Sequence, residues 1–453
     1  MPSVSAGWPE AAPATPMRLP TPAAATLPDF RSAEFLRHHA LSILAFYDGR
    51  ALDPSGGFFH CFKDDGSVYD RRSRHLVSST RFVVTHAMAA RCFADHPRAD
   101  AWRAAAEHGL RFVQQVHRNP VSGGYAWLLD WDGQRATARD ATNHCYGLAF
   151  VLLAHAQALR AGVPVARAGL FDTVALLERH FWEPAQGLYA DEAGADPQQP
   201  WQLSAYRGQN ANMHACEAFL AAYDATGDAA LLDRAATLAE AVTGRLAAQA
   251  GGLIWEHYRS ADGAWQVDPD YHRDDPAHLF RPWGFQTGHL TEWAKLLLTL
   301  DRRRPDGSGL RRQRAQALTE AAFRHGWDAQ HGGLVYGFAG AHDALGSDGQ
   351  FRVCDGHHYF WVQAESLAAL ARLALAAQAQ GERAEEAAHW RRYDALWRHA
   401  WTHFVDHRHG AWFRLLGPDL AKLSDEKSPP GKTDYHTLGA CCDMLEALAE
   451  AGR

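Results

Sequence analysis

The chain has 453 residues, with 45 basic and 52 acidic side chains and a formal net charge of −7. Hydrophobic residues make up 47% of it and charged residues 21%, which is enough apolar material to bury a sizeable core. The charges are mixed, with no long run of one sign, which argues against nucleic acid and anionic membrane as partners. We also expect no apolar stretch with the length of a membrane span.

Residues 1–28 are rich in Pro and Ala and lack the basic start and apolar core of a secretion signal. We therefore predict a disordered extension, followed by a single domain over residues 29–453. The seven cysteines are scattered and include no C-x-x-C pair. This pattern is neither a disulfide framework nor a zinc knuckle, and it predicts a protein of the reducing cytoplasm.

A short glycine motif repeats six times along the chain. In each copy a glycine precedes aromatic or aliphatic residues, and the first glycines are Gly56, Gly123, Gly187, Gly251, Gly332 and Gly410. Glycine supplies the left-handed backbone of a tight turn, and the residues after it are typical of a short extended segment. A period of this size indicates a repeat-built fold.

Between the glycine motifs the apolar residues recur at helical spacing. The pattern predicts twelve helices, over residues 31–48, 74–95, 99–118, 140–162, 165–182, 207–227, 229–248, 286–302, 312–327, 360–381, 385–404 and 434–450. Six helical hairpins can close into an all-α (α/α)6 barrel with its long loops at one face, or they can form an open solenoid. We favour the closed ring because it buries both edges of the array.

Unusual polar residues cluster in the first turns of every second predicted helix. They are Arg81, His144, Tyr146, Asn210, His214, Glu217, His289, Glu292, Trp361, Glu365 and His436. In a ring these helix N-termini would converge on one mouth, where they favour an anion or a developing oxyanion. Each residue alone could be satisfied core, and Arg81 with Glu292 or Glu365 could be a buried ion pair. The shared depth on all six helices favours one polar site.

Signatures of other chemistries are absent from the sequence. There is no phosphate-binding loop, dinucleotide fingerprint, zinc-protease helix or serine-hydrolase elbow. Outside a polar turn with His403, His407 and His409, the histidines do not form the i, i+4 pairs of a helix-borne metal site. We therefore predict no metal and no cofactor.

Four segments at these residues resemble the signatures of the N-acylglucosamine 2-epimerase superfamily. They are Arg207–Ala218, Thr287–Trp293, Trp361–Glu365 and Lys432–His436. Thr287 stands where the family usually has proline, a change that affects the loop entering the helix and leaves His289 in place. The resemblance runs over most of the chain from about residue 30 and implies the (α/α)6 barrel.

Within the superfamily, the sequence most resembles aldose–ketose isomerases that act on mannose. The likeness lies in Asn210–Asn212, in the long segment Asp268–Arg281 and in Ser79–Phe82. It implies mannose–fructose interconversion with a monosaccharide substrate and without metal or nucleotide. It implies His289 and His436 as the acid/base pair, in a sugar site shaped by Arg81, Asn210, His214, Glu217, Glu292, Trp361 and Glu365.

The chemistry of the residues agrees with this implication. Moving a carbonyl between C1 and C2 requires ring opening, removal of a carbon-bound proton and stabilisation of an enediolate, tasks that suit two imidazoles near neutral pH. We assign the carbon proton to His436 and ring opening to His289. The alternatives are a sugar 2-epimerase, a glycoside hydrolase using Glu217, Glu292 or Glu365, and a non-catalytic sugar-binding barrel. The oligomeric state stays open.

Overall fold

The structure is a computed structural model that describes residues 27–452 except 195, 197 and 279. Twelve α-helices lie in these residues, as predicted: α1 Ala33–Tyr47, α2 Leu76–Cys92, α3 Ala99–Phe112, α4 Cys145–Arg160, α5 Ala166–His180, α6 Gln209–Thr226, α7 Ala229–Glu240, α8 Thr287–Arg303, α9 Leu310–Gly326, α10 Phe360–Ala379, α11 Arg383–His403 and α12 Tyr435–Glu450. A π-helical turn extends α3 to His117, and a π-helical turn followed by a 3-10 turn extends α7 to Ala250. Most of the predicted extension over residues 1–28 lies outside the described residues.

The even-numbered helices contact one another in chain order, and α12 returns to contact α2. Each even-numbered helix up to α10 also packs against the odd-numbered helix that follows it, while α1 packs against α12. Burial follows the same division: α2 is buried continuously from Leu76 to Ala90, whereas α3 buries only one face. The even-numbered helices thus form the inner layer of the fold.

Short antiparallel strands link neighbouring repeats at the end where the inner helices begin. The strand before each inner helix pairs with a segment that follows a glycine motif of an adjacent repeat. The pairings join Ser73–His75 with Leu128–Trp131, Asn143–His144 with Glu192–Ala193, Tyr206–Gly208 with His257–Ala261, Phe285–Gln286 with Gly337–Gly340, His358–Tyr359 with Leu415–Leu416, and Glu426–Ser428 with Cys61–Lys63. The last pairing connects the end of the chain to its first repeat.

Further strands widen four of these sheets, and one hairpin stands apart. Val68–Asp70, Ala136–Asp140, Ala264–Val267 and Phe351–Asp355 are the added strands, and Trp182–Glu183 with Leu188–Tyr189 is the hairpin. The glycine turns have the predicted conformation: φ is +77° at Gly332 and +88° at Gly410. The next residues bridge back to the helix end, as in Trp327 with Leu334 and Val405 with Trp412.

One expectation about composition is wrong for α10. This helix has a mean hydropathy of 1.2 over an 18-residue window, enough by length and composition to cross a membrane. Its apolarity comes from Ala and Leu, and 83% of the window is buried within the protein. That is the environment of a core helix, and α10 packs between α8 and α12 in the inner layer.

Candidate active site

A cavity of about 560 Å³ lies at the N-terminal ends of the inner helices. Every inner helix contributes to its wall through the first two turns, so the predicted convergence of polar side chains is present. The predicted residues on the wall are Arg81, His144, Tyr146, Asn210, His214, His289, Glu292, Trp361 and His436. The size is that of a small-molecule site.

Two of the predicted residues, Glu217 and Glu365, do not line this cavity. They lie one layer deeper, where they border a smaller cavity of about 90 Å³ nearer the other end of the inner helices. Each of them contacts an imidazole of the upper cavity, namely His214 and His436. Their position suits groups that orient imidazoles from beneath the main cavity.

His436, in the first turn of α12, is held by a chain of ionisable groups. Its Nδ1 lies 2.7 Å from Oε1 of Glu365, and Nζ of Lys295 donates to the other oxygen of that carboxylate at 2.5 Å. Lys295 is only 7% exposed. Burial lowers the pKa of His436 well below its usual range, and the cations Arg81 and Lys295 lower it further. The imidazole is therefore neutral near pH 7.

His289, in the first turn of α8, is held by a chain of neutral groups behind its carboxylate. Its Nδ1 lies 2.9 Å from Oε1 of Glu256. The amide of Gln209 donates to both oxygens of Glu256 at 3.1 and 3.0 Å, and accepts from the indole N–H of Trp293 at 2.7 Å. Glu256 is 3% exposed, so its charge is stabilised by these hydrogen bonds and hardly by solvent.

Trp361 lies between the two histidines. Its ring centroid is 5.1 Å from that of His289 and 5.7 Å from that of His436. A side chain at position 288 would prevent this placement, because a Cβ on Gly288 would approach the indole to 2.4 Å. The glycine before His289 thus permits the indole to lie against the start of α8 and to separate the two imidazoles.

A second group of polar side chains occupies the wall formed by α6 and α8. Nδ1 of His214 lies 3.1 Å from Oε2 of Glu217 and 3.8 Å from Oε1 of Glu292, and the hydroxyl of Tyr435 donates to the other oxygen of Glu217. Burial lowers the pKa of His214 to about 4. Burial, with the charges of Glu365 and Glu217, raises the pKa of Glu292 well above its usual range.

The raised pKa favours the protonated form of Glu292, and both of its carboxyl oxygens lack a hydrogen-bond partner among the described residues. Arg81 faces the same space from α2. Its guanidinium donates to the carbonyl of Gly431 at 2.5 Å and to the hydroxyl of Tyr146 at 3.1 Å, and it lies 4.4 Å over the ring of Phe150. A buried neutral acid and a fixed cation thus face the cavity together.

The long segment Asp268–Arg281, which the resemblance singled out, contributes to the cavity wall. Tyr271, His272 and His278 line the cavity there. Arg281 donates to Glu192 at 2.6 Å, which ties the segment to the strand pair below α4. The segment therefore covers one side of the cavity through a fixed ion pair.

The structure also brings together groups that the helical spacing did not reveal. Glu256, Gln209 and Lys295 were not predicted, because each makes its contact across repeats: Glu256 and Gln209 with His289, and Lys295 with Glu365 behind His436. The expectation of no cluster at metal-ligand spacing is wrong. His214, Glu217 and Glu292 form one such group and Glu292, Glu365 and His436 another, each with ligand atoms within 4.8 Å of one another. These groups combine different helices, which the search for i, i+4 histidine pairs could not detect.

Comparison with known proteins shows which family and which relatives the chain resembles. Residues 57–440 match the family N-acylglucosamine 2-epimerase (GlcNAc 2-epimerase). The chain is 47% identical over 423 residues to a D-mannose isomerase of Marinomonas mediterranea, covering 93% of this chain and 99% of the relative.

Solved structures extend the similarity to the fold. A crystal structure of a D-mannose isomerase superposes with a TM-score of 0.83 at 46% identity, covering 93% of this chain and 100% of the other. A cellobiose 2-epimerase from Bacillus thermoamylovorans superposes with a TM-score of 0.74 at 18% identity, covering 91% of this chain and 98% of the other. The second likeness shows a shared fold alone.

Proposed function

This chain belongs to the N-acylglucosamine 2-epimerase family, and we propose that within it the protein is an isomerase that interconverts D-mannose and D-fructose. The similarity to D-mannose isomerases over nearly the full length of both chains supports the substrate. We further propose that the six inner and six outer helices are an (α/α)6 barrel in one catalytic domain over residues 29–453. The contact of α12 with α2 and the strand pairing across that junction support closure.

The observation that carries the proposal is the pair of imidazoles on either side of Trp361. Each binds a buried carboxylate through Nδ1 and leaves Nε2 as the nitrogen available to the cavity. A cavity of about 560 Å³ accommodates a monosaccharide with room to open its ring. Two imidazoles at one sugar supply the acid and the base that a 1,2-proton transfer requires.

The groups behind the two imidazoles give His436 and His289 different roles. His436 is neutral near pH 7 and lies under the influence of two cations, so it is suited to accept the proton from C2. His289 faces the carboxylate of Glu256, which also accepts from the neutral amide of Gln209. We assign the oxygen-bound protons to His289, which takes the O1 proton and delivers it to the ring oxygen when the sugar opens, and later carries the O2 proton to O1. His436 moves the carbon-bound proton from C2 to C1.

The enediolate formed between these steps needs donors at its oxygens. Arg81 supplies a fixed positive charge, and the protonated carboxyl of Glu292 supplies an O–H in a buried environment, where such interactions are strongest. Asn210 and His214 face the same space and bind hydroxyl groups of the sugar. Glu217 and Glu365 act through His214 and His436 and are positioning residues.

We further propose that the protein acts without metal or organic cofactor, binds neither nucleic acid nor membrane, and resides in the cytoplasm. All seven cysteines are free thiols, which agrees with a reducing compartment.

Incubation with D-mannose in D2O, followed by NMR, tests the proposal. We expect D-fructose as the product, with deuterium at C1 to the extent that His436 exchanges its proton with solvent before returning it. Glucose as the first product would identify a 2-epimerase, which two imidazoles at one sugar also permit. Turnover only of cellobiose or N-acetylated sugars would likewise contradict the isomerase. Release of reducing sugar from oligosaccharides would indicate a hydrolase, and binding without exchange at C2 a non-catalytic barrel.

A further inference from the structure

Two helices of the cavity wall present a set of metal-ligand atoms. His214 and Glu217 stand three residues apart on α6, so their side chains share one face, and Glu292 reaches the same point from α8. A histidine and a carboxylate at this spacing, facing a carboxylate on a neighbouring helix, is an arrangement that helical bundles use to hold metal ions.

The distances between these atoms suit a small divalent ion. Tetrahedral coordination at the usual Zn–N and Zn–O bond lengths places neighbouring ligand atoms roughly 3.3 Å apart. Nδ1 of His214 lies 3.1 Å from Glu217 and 3.8 Å from Glu292, and all three ligand atoms lie within 4.8 Å of one another. An ion between them requires small side-chain adjustments, release of the Glu292 proton to solvent, and the His214 tautomer whose proton is on Nε2.

Glu292 gives an independent indication of a ligand at this point. The residue is 0% exposed, yet both oxygens lack a hydrogen-bond partner among the described residues. Leaving a buried polar group without a partner is unfavourable, because the hydrogen bonds it made with water are lost and not replaced. Because Glu292 also lines the cavity, a bound group there can satisfy it.

We propose that His214, Glu217 and Glu292 bind one divalent transition-metal ion, with Zn2+ favoured, and that this ion inhibits the enzyme from within the sugar cavity. Three protein ligands leave a fourth position open toward the cavity. Water or a sugar hydroxyl would fill that position. The ion would occupy space near Arg81 that the sugar needs, and it would withdraw Glu292 and His214 from the sugar. Inhibition rests on the proposed function, whereas metal binding does not.

The neighbouring group of Glu292, Glu365 and His436 is a poorer candidate. One oxygen of Glu365 already accepts from the ammonium of Lys295 at 2.5 Å, and the other lies 2.7 Å from His436. An ion there would have to displace or adjoin that cation. Among the described residues, no lysine or arginine forms a direct ion pair with the first group, although Arg81 and Lys295 both lie near enough to influence its charges.

Isothermal titration with ZnCl2 of the full-length protein, previously dialysed against a chelator, tests metal binding without reference to activity. Glu217→Gln removes a ligand of the proposed site, and Glu365→Gln is the matched control that removes a ligand of the neighbouring group alone. Circular dichroism checks that both variants fold. We expect Glu217→Gln to weaken the tightest zinc site by more than the roughly 10–100-fold that loss of a merely orienting group costs. Glu365→Gln should retain that site.

The remaining outcomes overturn the assignment. They are no zinc binding by the wild-type protein, equal binding by both variants, loss in both variants, or loss only in Glu365→Gln. In a parallel assay, zinc should slow mannose turnover competitively with the sugar, and a chelator should restore it. If zinc binds as described but the zinc-free protein does not convert mannose, the proposed function fails and the metal site stands. If mannose is converted and bound zinc has no effect, inhibition is wrong.

Discussion

His289 and His436 line one cavity and each contacts a buried glutamate through Nδ1, but the two glutamates are stabilised by different groups. Behind His436, Glu365 is paired with the ammonium of Lys295. Behind His289, Glu256 accepts from the neutral amide of Gln209. A carboxylate already paired with a cation stabilises an imidazolium less than one paired with neutral donors.

The difference shows how a nearly symmetric ring of repeats can produce two unlike imidazoles. The two residues occupy the same depth on α12 and α8, so helix position alone does not distinguish them. The distinction comes from what lies behind each histidine. Glu256, which follows a glycine turn, contacts His289, whereas the Glu365 that contacts His436 is paired with Lys295 of α8. Environment, not residue type, separates base from acid.

Replacing either histidine should have the largest effect. We expect His436→Ala and His289→Ala to lower kcat by about 10²–10⁴-fold, the usual contribution of a general acid or base. The exposed His342, far from the cavity wall, provides the control variant His342→Ala, which should retain full activity. Exchange of the C2 proton, followed by NMR, sharpens the comparison.

His436→Ala should lose this exchange altogether. His289→Ala should recover part of it when the sugar analogue supplied cannot form a ring, because ring opening is then unnecessary. Equal losses with cyclic and acyclic substrates would contradict the separate roles of the two histidines.

Glu365 and Glu292 should respond unequally to the same isosteric change, replacement by glutamine. Removing the carboxylate that orients an imidazole costs up to about 10⁴-fold in serine proteases, so we expect Glu365→Gln to lower kcat by about 10²-fold or more. The raised pKa of Glu292 favours its protonated form, and Glu292→Gln keeps a neutral donor there. Its loss should stay below about tenfold, or 1.4 kcal/mol. Steady-state kinetics of the two variants measure both effects, and the reverse order would refute the assigned protonation states.

The general plan of this site could be predicted from the sequence, and its electrostatics could not. Polar residues such as Arg81 and His289 stand out against apolar helices at a common depth, which is a local signal. Glu256 follows a glycine turn in a segment without helical periodicity, and it lies 33 residues from its partner His289. Nothing local marks such a pair.

The same limit applies to Lys295 and to the metal-ligand groups. Nothing in the sequence of the Leu-rich helix α8 marks Lys295, because its partner Glu365 lies on α10, 70 residues away. The position of Glu217 and Glu365 one layer below the cavity depends on the direction in which each helix presents them. Such facts follow from packing between repeats, which spacing along one helix does not encode.

The pH dependence of kcat/KM should show the asymmetry with a moderate effect. His436 must be unprotonated to act as the base, and its pKa lies well below 6.5 in the folded protein. The rate should therefore remain level as the pH falls from neutral through 6.5 and decline only at lower pH. In Lys295→Met a cation that lowers this pKa is lost, so the acid decline should move to higher pH. Lys295→Arg should keep the wild-type profile, and an unchanged profile in Lys295→Met would assign the lysine a purely structural role.

Chelation should have the smallest effect of all. In the mechanism proposed for the two histidines, every proton moves through an imidazole, and the enediolate oxygens meet Arg81 and the protonated Glu292, so no step requires a metal ion. Extended dialysis against a chelator should leave kcat and KM of the purified protein unchanged, or raise kcat if zinc had been carried through purification. Loss of activity that a divalent ion restores would contradict proton transfer by His289 and His436 alone. It would instead turn the group of His214, Glu217 and Glu292 from an inhibitory site into part of the catalytic machinery, because that group would then hold the ion on which turnover depends.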